Sequence, residues 1–429
     1  MHRRILVSSA VLFALAQPAL AADAPTFRGN LAHTGVYAGA GPAAFGGVKW
    51  KFQTGGSIVS SPAVAGDTAY VGSSDGFVYA VALADGAQRW KFATAARVVS
   101  SPAVTAGSVY ASSYDGNVYA IDATSGKKRW HFATRGEHRF IAPHLHGALP
   151  VHEPMPDPWD FFLSSPAVSR GIVYAGSGDG NVYALDAASG RKRWAFHTGN
   201  VVHASPAVAG DTVYVGSWDG YFYALDAATG ALRWKFKTGD DPDIHNHVGI
   251  QSSATVVGGV VYFGSRDAHV YALDAKTGHQ KWRFATAGGA WASSSPAVSG
   301  GRVYFGEGSS GLFRALDATT GKPVFTLDTV NAPFSSPAVA GTMLYVGQSD
   351  GKVAAVDLTA RKVAWTFQTG DEPAAATPAP AANDIDRPFY DNMVVRVKRL
   401  VTRAVFSSPA VAGSVVYVGS GDGYLYALR

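Results

Sequence analysis

The sequence predicts an all-β fold, an eight-bladed β-propeller of four-stranded antiparallel blades, on three observations. A unit of about 40 residues recurs eight times after residue 45. Each unit holds four short runs rich in Val, Tyr and Phe, separated by Gly-containing turns. The last unit lacks a fourth strand, and a matching strand stands alone at the start of the repeat region.

The recurrence is clearest in Ser-Ser-Pro-Ala-Val, with Pro at 62, 102, 166, 296, 337 and 409. Two variants, at Pro206 and at Ala254 in the Pro position, bring the count to eight. Within the unit that follows Pro206, Val213 to Gly216 reads as a strand and Ser217-Trp218-Asp219-Gly220 as a tight turn. Tyr221 to Asp226 makes the next strand, and Arg233-Trp234-Lys235-Phe236 the outer one. Asp-Gly between alternating apolar residues signals a hairpin, because Gly accepts positive φ. One such sheet cannot cover both of its faces, whereas stacking eight around an axis buries them. The chain ends at Arg429 after three strands of a unit, and Gly46 to Gly55 supplies the missing fourth, so the N-terminal strand is expected to complete the last blade and leave no raw edge.

Composition agrees. Charged residues are 16% of the chain, against roughly 25% in an average globular domain. There are 49 Gly, and aromatic residues reach 12%. With no Cys, disulfides, thiolate metal sites, a Cys nucleophile and a lipid-bearing N-terminal Cys are excluded. The net charge of +5 lacks the clustered basic stripe that nucleic-acid binding needs. Residues 1–21 read as a secretory signal peptide: Arg3 and Arg4 precede an apolar run from Ile5 to Ala16, and Ala19-Leu20-Ala21 fits the cleavage pattern. The mature protein is expected to be periplasmic or secreted, soluble, monomeric and without a transmembrane anchor. Residues 22–45 form a lead-in and 46–429 the propeller.

Insertions point to one face. From the Thr that closes an outer strand to the next Pro position the ordinary spacing is 8, as from Thr54 to Pro62. It grows to 32 from Thr134, 16 from Thr238, 10 from Thr286 and 40 from Thr369. Three substantial inserts result, at about 135–163, 240–251 and 371–406. These connections leave the meander at the same end as the Ser-x-Asp-Gly turns, so both are expected on one face, which is read as the functional one. The first two inserts are rich in His. His144 with His146, and His245 with His247, have spacing that suits a transition metal, while Asp240, Asp241 and Asp243 offer oxygens to Ca²⁺. A polar loop with incidental His is the plain alternative. The third insert combines an Ala/Pro spacer with a strand carrying Arg396 and Lys398, fitted to cap the channel or to grip an anionic ligand or a partner.

The stretch Ala120 to Trp130, with Ala-x-Asp-Ala-Thr-x-Gly-x-x-x-Trp spacing, resembles the tryptophan-docking motif of the pyrroloquinoline quinone (PQQ) repeat, as do Ala184 to Trp194, Ala224 to Trp234 and Ala272 to Trp282. The resemblance spans residues 46–429. It implies an eight-bladed quinoprotein-like propeller in which Trp50, Trp90, Trp130, Trp194, Trp234, Trp282 and Trp365 wedge between blades, with Phe325 in the eighth position. The motif drifts at Ala82, in place of its Asp, and at Arg361, in place of its Gly.

The family holds dehydrogenases and, separately, non-enzymatic propellers, including an outer-membrane-assembly lipoprotein. The reading favoured here is an exported binding or assembly module that takes a protein or small-molecule ligand on its insert-bearing face. The first alternative is a PQQ- and Ca²⁺-dependent periplasmic dehydrogenase of alcohols or sugars, with Trp218, Trp291, Asp243 and Asn246 as candidate cofactor residues. Against it stands the missing Cys pair that many such enzymes place over the quinone. The second alternative is a His-rich metal-binding propeller using His144, His146, His245 and His247.

Overall fold

A computed structural model describes residues 23–145, 150, 152–241, 249–308, 310–328, 333–370 and 403–429. The expected signal peptide lies outside these residues. Eight antiparallel meanders surround one axis. Blade 1 shows the pattern: Ala63–Ala65 innermost, then Thr68–Gly72, Phe77–Ala82 and the outer Gln88–Ala93. The second and third strands are almost wholly buried, because neighbouring blades cover both of their faces. Helix among the described residues comprises two short 3₁₀ turns, Phe27–Gly29 and Ala287–Gly289, and the helical residue Arg403.

The ring closes through blade 8. Val48–Gln53 pairs antiparallel with Tyr424–Leu428, with Trp50 opposite Ala427 and Gln53 opposite Tyr424. Each outer strand slips register by a bulge near its docking residue, as between Ala80 and Val81 where Trp90 faces Ala80. The indoles then reach the next blade: Trp90 donates to Ala123 O at 2.9 Å and Trp194 to Ala227 O at 3.0 Å. Trp50 from blade 8 donates to Leu83 O in blade 1 at 2.9 Å. Trp365 donates instead to Pro42 O of the lead-in, at 3.0 Å.

The motif glycine follows from this contact. A Cβ on Gly190 would stand 2.7 Å from the Trp130 ring, and its φ of +72° is one that side chains rarely adopt. Two of the three departures from the motif meet in space: Arg361, at φ +54° where a Gly is usual, lies with its guanidinium 5.9 Å from the ring centre of Phe325. A smaller ring in one blade leaves the room that the larger side chain of the next blade fills.

The repeated serines account for the inner ring. The second serine of each Ser-Ser-Pro phrase accepts the backbone N–H of its counterpart in the preceding blade. The cycle runs Ser61, Ser101, Ser165, Ser205, Ser253, Ser295, Ser336, Ser408 and back to Ser61, with every bond between 2.9 and 3.1 Å. The inner strands run away from these serines and the inserts, and the lead-in crosses that far end. It pairs Ala24 with Val64, accepts the N–H of Val104 and Val208 at Pro25 O and Leu31 O (both 2.7 Å), and adds Val36–Tyr37 parallel to Ala338–Ala340 in blade 7.

Two outcomes test this packing by urea denaturation. Trp194→Ala should cost about 3–5 kcal/mol, while Trp194→Phe should cost about 1, because Ala227 O keeps the Tyr174 hydroxyl as donor. Phe325→Trp should destabilise by about 1–3 kcal/mol alone and recover most of that with Arg361→Gly, a coupling a double-mutant cycle reads directly.

Candidate functional site

The inserts and the Ser-x-Asp-Gly turns do share a face. The turn aspartates bind the first N–H of the connection leaving the preceding blade: Asp75 takes Gly55 N at 2.7 Å and Asp219 takes Gly199 N at 2.7 Å. Each also accepts a tyrosine hydroxyl of its own blade, at 2.6 Å from Tyr79 and from Tyr223. With aspartate committed to this staple, the residue before it is free to vary, and it carries Tyr114, Trp218 and Arg266 in blades 2, 4 and 5. The residue three before each Pro position lines the channel just above the serine ring. It is Val59, Val99, Leu163, Phe334 and Phe406 in five blades, but His203, Gln251 and Ser293 in blades 4, 5 and 6.

The first insert folds onto this polar arc. Ile141–Ala142 pairs with Met155–Pro156 as a two-stranded ribbon, and the turn Asp157-Pro158-Trp159-Asp160 returns beneath it. Asp157 Oδ1 accepts Trp159 N at 2.8 Å, and Asp160 Oδ2 accepts Phe140 N at 2.7 Å. The other carboxylate oxygens reach the propeller. His203 lies between two carboxylates, Nδ1 at 2.6 Å from Asp160 Oδ1 and Nε2 at 2.8 Å from Glu137 Oε1. Asp157 Oδ2 pairs closely with Arg266 Nη1, and Asp241 from the second insert stands 3.4 Å from Arg266 Nε. Two aromatic–guanidinium stacks flank these pairs. Tyr114 lies under Arg97 at 4.6 Å and Arg139 at 5.5 Å; Arg266 lies over Trp291 at 3.6 Å and Trp218 at 5.0 Å.

Glu137, Asp157, Asp160, Asp241, Arg97, Arg139, His203 and Arg266 are all 8% exposed or less. Burial alone would push His203 down, but the charges and hydrogen bonds of Asp160 and Glu137 outweigh it and hold the imidazolium up at about 10. Burial pushes Glu137 up, opposed by His203 and the Gly178 N–H. Its contacts include two further donors, Gly178 N at 2.6 Å and the Ser177 hydroxyl at 3.4 Å. The cluster brings together four acidic and four basic side chains. Chemically it is an anchor: both ring nitrogens of His203 are occupied, which leaves no lone pair for general-base work.

Of the candidate residues, Trp218 is fully buried, stacked on Phe140 at 4.9 Å, with Arg266 also over its ring. A Cβ on Gly249 would stand 2.1 Å from its ring. Trp291 is partly exposed and meets Trp159 edge-on at 6.2 Å. The cavity on the axis has a volume of about 40 Å³, against roughly 300–1,000 Å³ for pockets that hold drug-sized ligands. A planar tricyclic quinone does not fit beside Trp218 or in this cavity, and the described carboxylates already serve Arg266, His203 and backbone N–H groups. His144 is exposed, with its ring 5.0 Å from that of His152. Asp243, Asn246, His146, His245 and His247 lie outside the described residues, as does most of the third insert. Among the described residues, no three His, Asp or Glu side chains converge as metal ligands. The sequence singles out Trp218 but gives no like prominence to Tyr114 and Arg266 in the same repeat position, or to His203. The usable signal was a polar residue at a repeat position that is apolar in most units.

The cluster predicts a pH dependence. His203 titrates near 6.5 when unfolded and near 10 when folded, so its stabilisation is fully present below pH 6.5 and is lost as pH rises through 10. The urea midpoint of the wild type should fall over that window. His203→Gln should cost about 3–5 kcal/mol at pH 6.5, by leaving two buried carboxylates without their cation, and should flatten the slope.

No curated protein matches the chain by sequence. Among solved structures, BamB from Moraxella catarrhalis superposes with a TM-score of 0.66 at 18% identity, covering 88% of this chain and 98% of that one. A europium-containing methanol dehydrogenase gives 0.68 at 16% identity, covering 95% and 98%. The quinohemoprotein alcohol dehydrogenase from Comamonas testosteroni gives 0.68 at 15%, covering 95% and 80%. At these identities the likeness is one of fold. Among the described residues, no helix is long and apolar enough to cross a membrane. The profile of the PQQ-repeat family described as outer membrane protein assembly factor BamB matches residues 40–151, 156–290 and 266–429, and the chain belongs to that family.

Proposed function

We propose that this chain is an exported propeller that docks a protein partner on its insert-bearing face. The observation that carries the reading is the ribbon of the first insert. Its underside is clamped by Phe140 on Trp218 and by the buried charges of Asp157 and Asp160, while Ile141 on its outer side is 56% exposed, more than any other large hydrophobic residue described. An apolar side chain held out on a rigid support loses little entropy on binding, which makes it a suitable anchor for a partner. Membership of a family described by an assembly factor supports the same reading. The dehydrogenase alternative draws on the shared fold, and the filled space around Trp218 weighs against it.

A photo-crosslinking residue at position 141 in the exporting cell should give one defined adduct. Competition by the untagged wild-type protein should remove that adduct, and competition by an Ile141→Asp variant should not. A Leu232→Asp variant, changed on an outer strand of blade 4, should compete as the wild type does. Titrating the purified protein with PQQ and Ca²⁺ should leave the quinone absorbance unchanged and support no dye-linked alcohol or sugar oxidation. Saturable quinone binding with turnover would replace the docking reading with the enzymatic one.

A further inference from the structure

The cavity on the axis is lined by all eight serines of the inner ring, by Phe27 from the lead-in on one side and by Phe162, Phe334 and Phe406 toward the inserts. At about 40 Å³ it has room for a few water-sized particles. Each ring Oγ already accepts a backbone N–H from the neighbouring blade, which leaves the hydroxyl proton to be placed, and among the described residues no acceptor takes it. Eight O–H donors therefore border one small space.

A second feature stands one residue beyond the ring. Arg28 of the lead-in is 2% exposed, and its N–H groups go only to carbonyls: His33 O at 3.2 Å, Pro337 O at 3.2 Å and Pro296 O at 2.5 Å. Pro296 and Pro337 directly follow the ring serines Ser295 and Ser336. Among the described residues no carboxylate pairs with this guanidinium. Burial lowers it only to about 10, so it is charged at neutral pH. The ionisable neighbours supply no negative charge: burial pushes Tyr37 up to about 12 and His33 down to about 3, and both are neutral at pH 7. The acidic residues around His203 are balanced by their own cations. A buried charge without a counter-charge is strongly disfavoured, and donors without acceptors add to the cost.

We propose that the serine-ringed cavity is a binding site for a monatomic anion, a halide such as chloride, which accepts hydroxyl protons from part of the ring and supplies the counter-charge to Arg28. A cation there would add to the unpaired charge of Arg28, and water alone would satisfy hydroxyls while leaving that charge unbalanced. The ion would sit where all eight blades and the lead-in meet, so it would tie ring closure to the seating of the N-terminal segment.

Crystals of the full chain soaked in bromide test the site directly. Anomalous diffraction should show one bromide in the cavity within hydrogen-bonding distance of two or more ring Oγ atoms. In solution, exchanging chloride for gluconate at constant ionic strength should lower the Tm. Restoring chloride above its Kd should raise it by about 2 °C for each tenfold increase. Arg28→Met should abolish that chloride dependence. Non-anomalous water density in the ring, or a wild-type Tm indifferent to the exchange, would overturn the proposal. Both wild-type measurements stand even if the variant does not fold.

Discussion

Everything in this molecule depends on closure of the ring. A four-stranded blade has two apolar faces and no way to cover them alone, so each blade is stable only between two neighbours. The last blade must therefore find the first. Three sets of bonds meet that requirement at different radii. The serine cycle joins adjacent inner strands near the axis, the indoles reach the next blade at the periphery, and Val48–Gln53 completes the sheet in which the chain ends. Because the cycle has no free end, losing one link strains all the others, and this explains why so short a phrase recurs with so little change.

Closure also explains where variation is allowed. Positions that hold blade to blade cannot change alone, and where they do change they change together, as Phe325 and Arg361 have. Positions facing the insert-bearing end are free of that duty. There the chain has built a patch with buried charges in balance, an arrangement that stabilises little compared with apolar packing but admits few alternative geometries. Its consequence is orientation. The ribbon carrying Ile141 is fixed relative to the ring by His203 and Arg266, and both ring nitrogens of His203 are taken up in doing so.

The fold could be read almost completely from the sequence, because each docking tryptophan, each Asp-Gly turn and the divided last blade leaves a periodic trace. The site was only partly legible. Trp218 stood out as a large residue in a turn, and the inserts stood out by length. His203 looked like an isolated histidine, and Glu137, Asp157 and Asp160 looked like members of a polar loop. Their meeting depends on how a 32-residue connection folds back across the axis, and no period in the sequence encodes that path. Arg28 is the same case in the lead-in. On paper it is an ordinary surface cation, and only the path of residues 23–45 across the channel buries it.

The sequence by itself determined the number of blades, the closure by the N-terminal strand, the docking residues and the face on which the inserts emerge. All of these follow from local pattern repeated at a fixed interval, and repetition makes local information global. Only the tertiary structure decided which charges would be buried together, which aromatic faces would be covered and how little space would remain on the axis. Those outcomes depend on non-repeating segments from distant parts of the chain converging at one place. Their energies come from desolvation and from pairing across that gap, which the order of residues along the chain does not record.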